Sequence, residues 1–154
     1  MESDSGTFRP LGIGFSGSSL ARGILDEILS LLEEHSINYT RVGPSGSAPD
    51  ISIWHNRDNV PIGSFDNDNG DYFIYHHTDA DTMTVENPDA LDEGTILWTV
   101  ATYVIANLKE KLPREGTAAT IPPTAAMAQL TARLPSFCTL VLAFFVAVFM
   151  ARRK

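Results

Sequence analysis

Apolar residues recur at helical spacing in two long runs of this chain. The first comprises Leu20, Ile24, Ile28, Leu31 and Leu32, with Asp26, Glu27, Glu33 and Glu34 making a polar face. That pattern predicts an amphipathic helix over residues 18–34, capped by Ser16 or Ser18. The second comprises Leu91, Leu97, Val100, Val104, Ile105, Leu108 and Leu112. Its opening, Asn87-Pro88-Asp89, supplies an N-cap, a proline at the first helical position and an acid at the positive helix end. Lys109 and Lys111 would lie in its last turn, and Pro113 would stop it. Both helices read as scaffold.

Shorter patterns fill the space around them. Residues 37–42 predict a strand, ended by the turn composition of Gly43-Pro44-Ser45-Gly46-Ser47. Ile51-Ser52-Ile53-Trp54 alternates as a half-buried strand does, and Pro61 marks residues 60–65 as a strand start or an edge. His55 between these pieces reads as a surface or core-satisfied histidine. Residues 1–6 predict the end of a strand running into a Ser/Gly turn. Residues 7–17, with Gly12, Gly14 and Gly17, predict loop or short strand, and their spacing is not a dinucleotide fingerprint.

Composition shifts sharply near the carboxyl end. Residues 114–133 are rich in Ala, Thr and Pro, as a linker is. Residues 134–151 carry no charge between Arg133 and Arg152, and as a helix they would be roughly 27 Å long, enough to cross a bilayer core. This predicts a single transmembrane helix with a basic tail, 152–154, on the cytosolic side. A lipid-anchor signal is the lesser alternative, weakened by the trailing charges.

The 154 residues suit one modest domain, and the net charge of -8 removes nucleic acid as a partner. The acids crowd between Asp58 and Glu93, where they would draw divalent cations or simply form a solvated face. Asp66-Asn67-Asp68-Asn69-Gly70-Asp71 resembles a calcium loop, but His76 stands where the ligating glutamate should be, so calcium is rejected. Cys138 is the one cysteine, which excludes an internal disulfide and a thiolate zinc site. Residues 1–10 are polar, so as written the chain has no signal peptide. Asn38-Tyr39-Thr40 is a glycosylation acceptor if the domain reaches a lumen.

The chemistry concentrates in Tyr75-His76-His77-Thr78-Asp79-Ala80-Asp81-Thr82, with two imidazoles and two carboxylates in eight residues. These are zinc-binding types, although neighbouring histidines in a loop are more often solvated or satisfied in the core. The spacing from His77 and Thr78 to Asp81 and Thr82, followed by Met83-Thr84-Val85, resembles the last metal motif of the co-catalytic dizinc peptidases, in particular the carboxypeptidase Q family. Trp98, Tyr103 to Ala106 and Leu112-Pro113-Arg114 continue the likeness. Glu2-Ser3-Asp4-Ser5-Gly6-Thr7-Phe8 is similar to the family's preceding metal motif, and Gly14 to Ser18 with Ala21-Arg22 extends it.

That resemblance implies an α/β fold: residues 1–113 would be the carboxyl-terminal portion of a three-layer α/β/α sandwich with an incomplete sheet. It implies two zinc ions, with Asp4 binding one and His77 the other. His76 would shape the substrate pocket, and Asp81 would either orient His77 or cap the next turn. No catalytic residue falls in this chain, because the general-base glutamate and the other ligands precede the Glu-Ser-Asp motif in the family. The expected function is hydrolysis of dipeptides or short peptides, with the 154-residue chain inactive alone. The alternative is a non-catalytic, membrane-tethered remnant or binding protein. A homodimer is left open. Localisation follows the start: a membrane protein with a lumenal or extracellular domain if a leader lies upstream, a cytosol-facing tail-anchored protein otherwise.

Overall fold

Ile13 and Phe15 lie two positions apart on a strand, β1 (Pro10–Ser16), and both are buried in the main core. The computed structural model describes residues 1–6, 8–33, 38 and 40–116. β1 is the middle strand of a sheet ordered β2-β1-β3. β2 (Arg41–Gly43) runs parallel to it and β3 (Ile62–Asn67) antiparallel. A parallel neighbour requires a crossover, and the helix α1 (Ser19–Glu33) begins it. Arg22 of α1 donates to the Gly43 carbonyl at 2.9 Å, tying the crossover helix to the end of β2. On the other flank, Glu2 extends the sheet by one parallel bridge to Ser64: its N–H donates to the Gly63 carbonyl at 3.0 Å, and its own carbonyl accepts from Phe65 at 3.1 Å.

One core joins the three main elements. Ala21, Leu25, Leu29 and Leu32 of α1 meet Ile96, Leu97 and Ala101 of α4 (Pro88–Asn107) against Ile13 and Phe15. Of the predicted runs, Ile24, Ile28, Leu32, Leu97 and Val104 are buried on these faces, while Leu91 is exposed. Among the described residues this is a mixed α/β fold with a small sheet.

Local chemistry decides which end signals hold. Ser18, not Ser16, caps α1: its Oγ accepts from Ala21 N at 3.1 Å and donates to the Pro113 carbonyl at 2.7 Å. Ser16 instead donates to Gly46 at 2.8 Å. Asn87 caps α4 as expected, its Oδ1 accepting from Asp89 and Ala90 at 2.9 and 3.1 Å. Asn87→Ala is expected to cost about 1 kcal/mol in a denaturant melt, since two helix N–H groups lose their acceptor. A midpoint unchanged from the parent would show that water replaces this cap at no cost.

Two expectations are corrected and one is resolved. Of the loop or short strand expected over residues 7–17, the strand forms as β1, and its glycines are demanded by packing. A Cβ on Gly14 would stand 2.4 Å from the Ser45 carbonyl, because the chain after β2 folds back over it. The alternating Ile51–Trp54 opens a helix, α2 (Ser52–Asp58), rather than a strand. The Glu2 carboxylate accepts from Asp50 N and Ile51 N at 3.1 and 3.0 Å, and Ser52 Oγ donates to the Ala48 carbonyl at 2.8 Å. The Glu2 carboxylate thus satisfies N–H donors in the turn just before the helix, which alternation alone does not reveal. Beyond them, Arg57 donates twice to Asp58, holding that carboxyl below its ordinary range. Finally, α4 ends at Asn107, so Lys109 and Lys111 lie outside it. Leu108 and Leu112 still pack on the core, and the Ser18 bond to Pro113 fixes the departing chain.

Among the described residues no helix is long and apolar enough to cross a membrane. The expected linker lies almost wholly outside the described residues, as do the membrane span at 134–151 and the basic tail.

Candidate functional site

Two loops that begin at different strands face one another across an open cavity of about 670 Å³. The first follows the Glu2 bridge and carries Asp4. Asn67, buried at the end of β3, donates through Nδ2 to the Ser5 and Gly6 carbonyls at 3.2 and 3.0 Å. The Tyr72 hydroxyl donates to the Asp4 carbonyl at 3.3 Å. Asp4 thus sits on a backbone held from β3 and from the second loop. Its own carboxylate is exposed.

The second loop starts with a single helical turn, α3 (Tyr72–Tyr75), whose Phe73 and Ile74 are exposed at 81% and 61%. The apolar run Tyr72–Tyr75 is therefore not core. Thr78 closes the next turn, donating from its N–H and its Oγ1 to the Tyr75 carbonyl at 3.0 and 2.7 Å. Between them the chain turns with His77 at φ 59°, a left-handed conformation that histidine adopts more readily than most residues. The result is a ring stack: His76 lies on Tyr72 at 4.5 Å and on His77 at 3.7 Å between centroids.

Asp4, His76, His77 and Asp81 all line this one cavity. His77 is exposed and His76 half-buried, so the outer ring is the one presented to solvent. Among the described residues the Asp81 carboxylate makes no hydrogen bond to His77 and caps no helix; only the Asp81 backbone is engaged, its N–H donating to the Thr78 carbonyl at 3.1 Å. His55 lies elsewhere, half-buried with Nδ1 3.0 Å from the Val60 carbonyl, in keeping with a structural histidine. Asn67, Tyr72 and Arg9 also shape the cavity or the loops that bound it, and the sequence pattern singled out none of them.

Imidazole and carboxylate are suitable donors for zinc. Yet no three His, Cys, Asp or Glu side chains among the described residues converge to hold a metal ion. The segment by itself does not make a metal centre.

The fold and cavity define a small α/β segment, and the sequence comparisons supply its family. The chain is a carboxypeptidase Q-related segment. It is 46% identical to carboxypeptidase Q of Bos taurus, 43% to that of Homo sapiens and 42% to that of Mus musculus, each over 114 residues. That match covers 74% of this chain and 24% of each relative, so the matched segment spans about a quarter of the curated relatives' length. No family model and no solved structure matches the chain.

Proposed function

We propose that this segment forms one wall of a two-zinc peptidase site that hydrolyses dipeptides or short peptides. The observation that supports this most is that Asp4 and His77, more than seventy residues apart in the sequence, line a single cavity. On this reading Asp4 contributes a carboxylate oxygen to one zinc and His77 an imidazole nitrogen to the other. The remaining ligands and the general base come from outside the described residues, in the layers that complete a three-layer α/β/α sandwich. Zinc, when bound, supplies an acidified water and polarises the peptide carbonyl. What this chain contributes is placement: the Asn67 and Tyr72 hydrogen bonds fix the Asp4 loop, and the stack on His76 fixes the His77 ring.

The test is a chimera in which the matched 114 residues replace the corresponding part of the bovine relative. An active, zinc-loaded chimera supports the reading, while a folded chimera that cleaves no dipeptide overturns it. A non-catalytic binding protein would then be the better account.

The same reading puts the domain on the lumenal or extracellular side of a membrane, tethered through residues 134–151. Asn38 is exposed, and Thr40 of its sequon donates to Glu33 at 2.7 Å. The protein isolated from its native cells is expected to shift in mass on glycosidase treatment, and Asn38→Gln to abolish the shift. No shift in the parent protein would favour the cytosol-facing alternative.

A further inference from the structure

Ile53 and Trp54 are the only apolar residues of α2, and both face outward, 59% and 50% exposed. A surface helix ordinarily turns such residues inward, yet none of this helix is buried. Its position is fixed at both ends. Glu2 accepts from Asp50 and Ile51 just before it, and Arg114 Nη1 donates to the Asp58 carbonyl at its last residue, at 3.1 Å. The Arg114 contact also shows where the chain leaves the fold: beside α2. From there 17 residues, 117–133, lead to the uncharged run 134–151, and they reach at most roughly 60 Å even when extended.

On the tethered reading above, we propose that the outer face of α2 rests on the bilayer that holds residues 134–151, with Ile53 and Trp54 entering its headgroup region. An indole suits that depth, because its body is apolar and its N–H stays wet. The Arg57 guanidinium lies 4.9 Å over the Trp54 ring and donates twice to Asp58, so the nearest cation is already paired. The partner is therefore a zwitterionic lipid surface, since no charge here is left to seek an anionic one. Strong negative surface potential belongs to the cytoplasmic leaflet, so this chemistry suits the lumenal or extracellular side. Two side chains would hold a free protein to lipid only weakly, but a tether beside them keeps the surface at high local concentration. The contact sets the orientation of the domain on the membrane, which attachment at one point does not.

The experiment reconstitutes the full 154-residue chain in phosphatidylcholine vesicles, with and without brominated acyl chains, and reads tryptophan fluorescence. Trp54 and Trp98 are the two tryptophans, and Trp98 packs edge-on against Phe65, so Trp54→Phe isolates the Trp54 signal by difference. Brominated lipid is expected to quench Trp54 and to spare Trp98. Ile53→Asp should abolish most of that quenching with the far-UV circular dichroism unchanged, because an acid suits the first turn of a helix but not a lipid surface. Flotation of the parent with vesicles in alkaline carbonate tests the tether by itself. A chain that floats with Trp54 unquenched, or with equal quenching in Ile53→Asp, overturns the α2 contact and leaves the tether standing; a chain that does not float discards both. A Trp54 shielded from aqueous acrylamide but not reached by bromine means that the tail or a second copy covers α2, and overturns the contact as well. No step depends on zinc or turnover, so the peptidase reading stands or falls separately.

Discussion

Gly12→Ala is expected to abolish the cooperative unfolding transition of the folded part. Gly12 has φ +150°, and a Cβ there would lie 1.9 Å from the Arg41 carbonyl oxygen and 2.7 Å from the carbonyl carbon. Both atoms are backbone of β2, at the position that pairs with Gly12 in the register. No side-chain rotation relieves such a contact; β2 must leave β1 or β1 must change its backbone conformation. Either route exceeds the roughly 4 kcal/mol that marks an exceptional substitution, in a class of folds with only about 5–15 kcal/mol to lose. The comparison is Gly94→Ala, inside α4, where a Cβ would meet the Phe65 ring at 3.0 Å. That ring edge can give by a few tenths of an ångström, and alanine recovers about 1 kcal/mol of helix propensity, so a near-neutral result is expected. Urea melts of the two variants by far-UV circular dichroism decide the matter. If Gly12→Ala melts beside the parent, the parallel pairing at Gly12 and Arg41 is wrong.

That same glycine shows why the central strand was hard to read from the sequence. Gly12 and Gly14 lower strand propensity and look like loop, but the reason for them lies far along the chain, in Arg41 and Ser45. The two long helices were legible because their causes are local: the apolar repeat of α1, and the Asn87-Pro88-Asp89 start of α4. Where a local pattern competes with a distant contact, the contact wins. Ile51–Trp54 alternates like a strand, yet the Glu2 carboxylate, almost fifty residues earlier, sits on the Asp50 and Ile51 N–H groups just before α2.

The cavity divides along the same line. His76, His77 and Asp81 stand together in the sequence, so their common location needed no folding argument. Asp4 was connected to them only through resemblance, and the hydrogen bond from Tyr72 to its carbonyl is the physical link. Glu93 was read only as one of the crowded acids, whereas it is buried, and Arg9 had no mark, because an ion pair between a loop and a helix leaves no spacing to recognise. Asn67 was hidden inside an acidic run that suggested calcium, whereas its amide serves the Asp4 loop instead.

In the bovine chimera, His77→Asn is expected to lower kcat/KM for a dipeptide by about a thousandfold, equivalent to ~4 kcal/mol of transition-state stabilisation, and to release one of the pair of zinc ions. Asparagine is the informative replacement because His77 is left-handed at φ 59°. Asparagine tolerates that conformation nearly as well as any residue except glycine, so the loop keeps its turn while the imidazole is removed. Alanine would combine loss of a ligand with backbone strain and confuse the two. His76→Ala tests the other half of the stack. It removes the ring that packs on His77 at 3.7 Å but no proposed ligand, so both zinc ions should remain and kcat/KM should fall about 10–100-fold, as for a residue that orients a ligand. Zinc stoichiometry by atomic absorption, read beside the kinetics, separates the roles. Were His77→Asn to keep both ions and full activity, His77 would be no ligand, and the stack would be only a way of closing the turn.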